Sequence, residues 1–220
     1  MRGNMTMPAG SAERTNARRE EIINACEKLY QTMSFKDITL KEIGKETTFS
    51  RTSIYNYFQS KEEIFLALLK REYDLWIEAL EEATASHETM SNKEIADVLA
   101  RTLDERRNLL KILSMNHYDL EENSRMERLV EFKISYGKAL RTVTAMLAKF
   151  RTDMDIEKQQ DFVFSFFPFL FGIYPYTVVT DKQKEAMEKA GVPYTCPSVY
   201  GLVYSVAEKM LEQAVILIEF

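Results

Sequence analysis

The residues best suited to act on a partner lie in the run Ser50-Arg51-Thr52-Ser53-Ile54-Tyr55-Asn56-Tyr57-Phe58. Laid on a helix at about 100° per residue, Ile54 and Phe58 set an inward face. Thr52 and Asn56, four apart, then point outward, with Ser53 and Tyr55 on either side and Arg51 and Tyr57 at the margins. Such a face is short, polar and rich in donors and acceptors, with a cation at its N-terminal end. Those are the groups that read base edges in a major groove, where Thr also offers a methyl to thymine. Lys61 follows at the start of the next helix, where a cation beside free amides suits a phosphate oxygen. Ser, Thr and Asn on a helix face are also often merely solvated, so on pattern alone the two readings stand level.

A second set is aromatic. Eight of the 25 aromatics (Phe162, Phe164, Phe166, Phe167, Phe169, Phe171, Tyr174 and Tyr176) fall within 15 positions. Rings at every second or third position cannot share one helix face. Pro168 removes a backbone donor and is expected to kink the helix, leaving an aromatic wall for an apolar pocket. Ordinary core filling explains any single ring equally well. His87 and His117 are the only histidines, and Asn116-His117-Tyr118 groups three hydrogen-bonding side chains. No HExxH, paired cysteine, GxSxG, glycine-rich phosphate loop or Ser/His/Asp set is present, so no catalytic residue, metal or cofactor is expected. Cys26 reads as a helix-core position; Cys196, in a connector with no close cation, is a poorly supported redox thiol.

Helices must position these groups. Ile22, Cys26, Leu29 and Met33 repeat at helical spacing from Glu20. Thr39-Leu40-Lys41-Glu42 is a capping-box pattern opening a short helix, and Ser50 is an N-cap for a second, Arg51 to Phe58. Ser60-Lys61-Glu62-Glu63 and Ser91-Asn92-Lys93-Glu94 repeat the box ahead of longer helices. A short helix over 106–116, a long one to about Phe150, the aromatic helix from Asp155 and a last helix, Ser198 to Glu219, follow. Thr180 to Pro197 reads as a connector with a turn or two near 184–190, stopped by Gly191 and Pro193. The prediction is all-α, about nine helices, with a polar N-terminus disordered over 1–10.

Composition agrees. Seven Gly and five Pro in 220 residues are few, which favours helix over tight hairpins. Two cysteines 170 positions apart are no disulfide framework. The N-terminus has no apolar run of secretory length, which predicts a cytoplasmic protein. The uncharged stretch after Asp161 is near spanning length, but its prolines, its glycine and its acidic flanks predict burial instead of a membrane. The net charge of −5 argues against nucleic acid until it is divided. Residues 1–58 hold nine Lys+Arg against seven Asp+Glu, a net of +2, and the remainder carries −7. A mildly basic head gives modest affinity per copy, which pairing two heads would raise.

Residues 20–65, above all ITLKEIGKETTFSRTSIYNYFQSKEEIF, closely resemble the N-terminal DNA-binding domain of the TetR/AcrR family of bacterial transcriptional regulators. The likeness rests on the spacing of the first helix, Phe35 before Thr39, Ile43, and Tyr55-Asn56-Tyr57-Phe58 followed by Ser60-Lys61-Glu62. It implies a three-helix helix-turn-helix head over 11–59 and a helical ligand-binding and dimerising body over 60–220. It implies phosphate contacts at Tyr57 and Lys61, and base or backbone contacts at Arg51, Thr52, Ser53, Tyr55 and Asn56, with Thr39 added to the DNA set. In the body, the position of Asn116-His117-Tyr118 is one where such proteins often sense ligands. The expected ligand set is Met115, His117, Tyr118, Tyr136, Phe166, Phe169 and Tyr176. The expected partners are a double-stranded operator, a second copy through the last two long helices, and an apolar or aromatic effector that releases a repressor. An activator, a ligand-independent DNA binder, or a carrier or enzyme with a vestigial head remain alternatives.

Three positions depart from the family pattern. Ser34 ends the first helix where the family often has Gly, Thr48-Phe49 replaces Gly-Val in the turn, and Thr52 stands where Gly or Ala is common. Thr at a turn that prefers positive φ is costly, so a turn of different shape is expected. Thr52 is expected to alter the preferred operator.

Overall fold

Short polar side chains that accept the free amides of a first turn set most helix starts in this chain. The computed structural model describes residues 9–115, 117–193 and 195–213, and the side chains of these except 9–12, Arg51 and His117. Among the described residues there are eleven α-helices and no strand. They are α1 (Ala9–Tyr30), α2 (Leu40–Lys45), α3 (Arg51–Ile54), α4 (Lys61–Ser86), α5 (Asn92–Asp104), α6 (Arg107–Leu113), α7 (His117–Glu122), α8 (Met126–Phe150), α9 (Ile156–Thr177), α10 (Asp181–Ala190) and α11 (Val199–Gln213). Thr39 accepts from the Glu42 amide to open α2, and Asp155 from the Lys158 amide to open α9. Ser91 with Glu94 and Thr180 with Gln183 make full capping boxes for α5 and α10. Gly191 ends α10 at φ 65°, in the left-handed region glycine tolerates.

The all-α prediction holds, and the structure corrects its details. The count rises from about nine because α7 and α10 are helices of their own. Helix α1 begins at Ala9, a full eleven residues before Glu20. Of the disorder expected over 1–10, Ala9 and Gly10 instead open α1, and the rest lies outside the described residues. Helix α3 is regular only to Ile54. Tyr57 and Phe58 then donate backbone bonds to the Ile54 carbonyl, which winds the chain inward as a turn. Pro168 and Pro175 do not interrupt α9, which runs through both. The expected end of the last helix at Glu219 lies outside the described residues. No single helix among them is long and apolar enough to cross a membrane.

The chain forms two compact units. The first holds residues up to Leu68 together with Tyr118–Val130; the second holds Leu69–His117 and the chain from Glu131 onward. The sequence suggested a cut at 59/60 and gave no sign that a stretch so far along the chain packs into the head. In the first unit Ile22, Cys26, Tyr30, Ile38, Ile43, Ile54, Phe58 and Phe65 are buried. The Phe65 ring meets Tyr30 edge-on at 5.0 Å and Phe35 at 4.8 Å.

The second unit packs α5 along α11, with Val199, Val203, Ala207 and Leu211 as the inward face of α11. Arg151, nearly fully buried, stitches it. Its guanidinium donates to both Asp153 oxygens, to Asn92 Oδ1 and to the Leu211 carbonyl. One side chain thus ties the end of α8 to α5 and α11.

Candidate functional site

The recognition turn has the faces its sequence dictates. Ile54 and Phe58 are completely buried, whereas Thr52, Tyr55 and Asn56 are exposed and Ser53 and Tyr57 half-buried. The side chain of Arg51 lies outside those described. Ser50 occupies the N-cap position but makes no side-chain cap bond; its Oγ sits 3.2 Å from Ser53 Oγ. Thr39, exposed, spends its acceptor on the α2 cap.

The turn between α2 and α3 needs no glycine. No described non-glycine residue has positive φ. Thr47 Oγ1 instead donates within 3.1 Å of both the Gly44 and Phe49 carbonyls, and the Thr48 amide donates to Glu21 of α1. The expected strain at Thr48 is therefore absent, because hydroxyl and carboxylate partners replace the left-handed residue.

Tyr57 is held from three directions. Phe49 packs on its ring at 6.4 Å, Arg18 Nη1 of α1 donates to its hydroxyl at 3.3 Å, and Arg125 Nη2 donates to its carbonyl at 3.2 Å. Arg19 lies over the Phe58 ring, 5.6 Å from its centroid. Lys61 has a partner of its own within the head. Its Nζ donates to the Phe35 carbonyl at 2.7 Å and lies 4.1 Å from the Phe35 ring centroid, bracing the loop before α2.

Beneath the turn lies an ion pair between a buried carboxylate and a half-exposed arginine, which the sequence did not disclose. Glu63, only 1% exposed, accepts from Arg125 N and Nε at Oε1, and from Arg125 Nη2 and the Gln59 amide at Oε2. Burial pushes the Glu63 pKa up, but the Arg125 side chain and the two backbone amides outweigh it and hold the carboxyl below its ordinary range. Ser60 Oγ adds a bond to the Asn123 carbonyl at 2.9 Å. The partners are 62 positions apart, so no local pattern could pair them. The start of α4 is correspondingly modified: Glu63 reaches the Gln59 amide instead of that of Ser60.

In the second unit, part of the expected ligand set converges. Tyr136 packs against Tyr73 (5.7 Å), Phe132 (6.2 Å) and Phe167 (5.9 Å), and Trp76 meets Phe167 at 5.8 Å. Phe166 meets Phe167 and Phe169 at 6.4 and 6.2 Å and stacks on Phe162 at 5.4 Å. Trp76 Nε1 donates to Thr102 Oγ1, while the fully buried Tyr73 hydroxyl has no partner among the described residues. Burial raises the Tyr73 pKa far above its usual value, so the phenol stays protonated.

Two other predicted members do not join this cluster. Tyr118 is 81% exposed on α7, where Leu120 is the inward residue, and it belongs to the first unit. Tyr176 is 69% exposed; it falls about 100° from the centre of the buried stripe of α9 formed by Phe162, Val163, Phe166, Phe167, Leu170 and Ile173. Met115 is half-buried just after α6, and the His117 side chain lies outside those described. Tyr73, Trp76 and Phe132 were missed because each reads as an ordinary apolar core position at helical spacing. Cys26 is buried as expected; Cys196 is exposed, its Sγ 3.3 Å from the Thr177 carbonyl.

Two family models match the chain. The TetR-family model for bacterial regulatory proteins matches residues 22–68, and the tetracyclin repressor-like C-terminal domain matches residues 70–199. Their junction coincides with the end of the first unit's leading segment at Leu68. A curated relative, the uncharacterized HTH-type transcriptional regulator YfiR of Bacillus subtilis, is 29% identical over 83 residues. That stretch is 38% of this chain and spans 40% of the length of the relative. Among solved structures, SmeT of Stenotrophomonas maltophilia, the repressor of the SmeDEF multidrug efflux pump, superposes with a TM-score of 0.55 at 17% identity, covering 90% of this chain and 91% of its own. FadR of Bacillus subtilis in complex with stearoyl-CoA gives 0.54 at 17%, covering 87% and 96%. FadR of Bacillus halodurans, a fatty acid degradation regulator, gives 0.55 at 14%, covering 88% and 94%. At these identities the structural likenesses speak for the fold.

Proposed function

From the premise that this chain belongs to the TetR family of bacterial regulatory proteins, and is a DNA-binding transcriptional regulator, we propose that it is a homodimeric repressor. It leaves an inverted-repeat operator when an apolar or aromatic small molecule enters the body. The observation that carries this reading is the exposed Thr52, Tyr55 and Asn56 above the buried Ile54 and Phe58. A single turn offering those groups suits base edges, and Tyr57 at its margin suits a phosphate. Lys61 gives one of its three N–H donors to the Phe35 carbonyl and keeps two for a phosphate oxygen.

The dimer forms through α9 and α11. Phe164 is 68% exposed on α9, and Pro168 and Gly172, also exposed, extend that face by helical steps of four. On α11, Gly201, Leu202, Ser205 and Val206 lie off the face buried against α5. Two heads so paired read half-sites about 34–36 Å apart.

The effector site is the aromatic cluster of Tyr73, Trp76, Phe132, Tyr136, Phe166 and Phe167. Ring packing adapts to a guest ring, and a buried hydroxyl without a partner costs about 1–3 kcal/mol that an acceptor on the guest would recover. The effector acts only through its different affinity for the DNA-competent and incompetent states. FadR of Bacillus subtilis, of like fold, holds stearoyl-CoA, which supports a body of this architecture accepting a largely apolar ligand. A gel-shift with the DNA flanking its own gene tests the reading. A sequence-specific shift of the ligand-free protein, lost on adding an aromatic effector, is expected; no specific shift at moderate salt would sink it.

A further inference from the structure

We propose that Arg18 of α1 and Tyr57 act as one phosphate clamp, so that the DNA surface extends beyond the helix-turn-helix onto the first helix. This rests on the DNA-contact reading of Tyr57 given above and adds a residue to it. Helix α1 begins at Ala9 and carries Arg14 and Arg18, both exposed and one turn apart on one face. Arg18 Nη1 donates to Tyr57 Oη at 3.3 Å across 39 positions of sequence. Tyr57 is the margin of the recognition turn, and its backbone is fixed by Arg125 below.

The bond has a direction. A guanidinium can only donate, so the Tyr57 oxygen accepts and its own O–H remains to be aimed elsewhere. Arg18 keeps further N–H groups in the same planar fork. An anion that accepts from the Tyr57 hydroxyl therefore lies within reach of the Arg18 fork. A phosphodiester oxygen meets both demands, whereas a base edge would leave the guanidinium charge unmatched. The Arg18 cation is in turn favoured by the Tyr57 hydroxyl and by the charge of Glu21. Arg14 continues the line of cations one turn towards the N-terminus, along the path of a strand.

The clamp predicts sequence-independent binding that depends on salt. The test uses the full-length dimer on two duplexes, a random-sequence one and one selected by this protein from a random pool. Affinity is measured from low to moderate salt for the wild type, Arg18→Ala, Arg18→Lys, Tyr57→Phe and the double variant Arg18→Ala/Tyr57→Phe. Arg18→Ala is expected to weaken both duplexes by a similar factor, about tenfold. It should also flatten the slope of log K against log salt by about 0.9 per head. Arg18→Lys should restore most of the slope. Tyr57→Phe should leave the slope intact, and the double variant should lose less than the product of the two single losses.

An unchanged slope in Arg18→Ala overturns the clamp, as does strict multiplication of the two losses. A loss confined to the selected duplex overturns it too, because that would be base reading. A thermal melt of Arg18→Ala matching the wild type excludes a merely structural effect; a slope change tracking a lowered melt would overturn the assignment. Failure of the wild type to bind either duplex would overturn the DNA-contact reading of Tyr57 and the clamp with it. Wild-type binding with Arg18→Ala unaffected overturns the clamp alone.

Discussion

The recognition turn and the aromatic core of the second unit hold their shape by opposite means. Under the turn, polar groups have assigned partners: four bonds converge on Glu63, one arginine takes the Tyr57 hydroxyl and another its carbonyl. In the second unit Tyr73, Trp76, Phe132, Tyr136 and Phe167 meet at ring separations of 5.7 to 6.4 Å, edge-on and tilted. Directional bonds select one geometry, whereas ring packing accepts several of similar energy. A surface that must present the same atoms to every operator copy is suited by the first. The effector site proposed above is suited by the second.

Breaking the directional side should do the most damage. Arg125→Ala leaves Glu63 buried without its counter-ion, and about 3 kcal/mol of head stability should go. Denaturant midpoints of the variant and the wild type measure it; a change under about 1 kcal/mol would mean that the head is held by packing after all. The same pair sets a pH dependence. The Glu63 carboxyl is depressed in the folded state, so its contribution is complete above the ordinary carboxylate pKa of about 4.3. It is lost as pH falls through the lower folded value. Urea midpoints taken downward from pH 6 should fall more steeply for the wild type than for Glu63→Gln, and parallel curves would refute this.

On the packing side the sign reverses. Tyr73→Phe removes a buried hydroxyl that meets no acceptor among the described residues, so the ligand-free protein should be unchanged or more stable by about 1 kcal/mol. A loss of more than that in a thermal melt would reveal a bond to this hydroxyl, and the contrast between the regions would weaken. The smallest effect concerns the turn. Thr48→Gly should not stabilise the head and should cost about 0.5 kcal/mol of backbone entropy, because φ there is not positive. A gain in the melting temperature of Thr48→Gly would show that the threonine is strained.

How much was legible follows the same division. Helix starts at Thr39, Ser91 and Asp155 were readable because a cap acts over three residues; Thr180 makes the same kind of cap, but its helix buries no residue, so it reads as a connector. The inward Ile54 and Phe58 followed from periodicity alone, and so did the outward Thr52, Tyr55 and Asn56. Contacts over long separations were not readable: Arg18 with Tyr57, Arg125 with Glu63, Lys61 with Phe35. Each depends on the fold to bring its partners together. The aromatic cluster was half-legible for a related reason. The density of rings in α9 announces an aromatic region, but inward and outward rings differ only by the angle they occupy. Tyr176 is an outward ring of α9, as Tyr118 is of α7.

The inclusion of Tyr118–Val130 in the first unit bears on modular engineering. Transplanting α3 onto another body by splicing after Leu68 would discard Arg125 and orphan Glu63. A chimera that also carries 118–130 keeps the pair. The transferable cassette is therefore discontinuous, two stretches of chain separated by 49 residues that belong to the other unit.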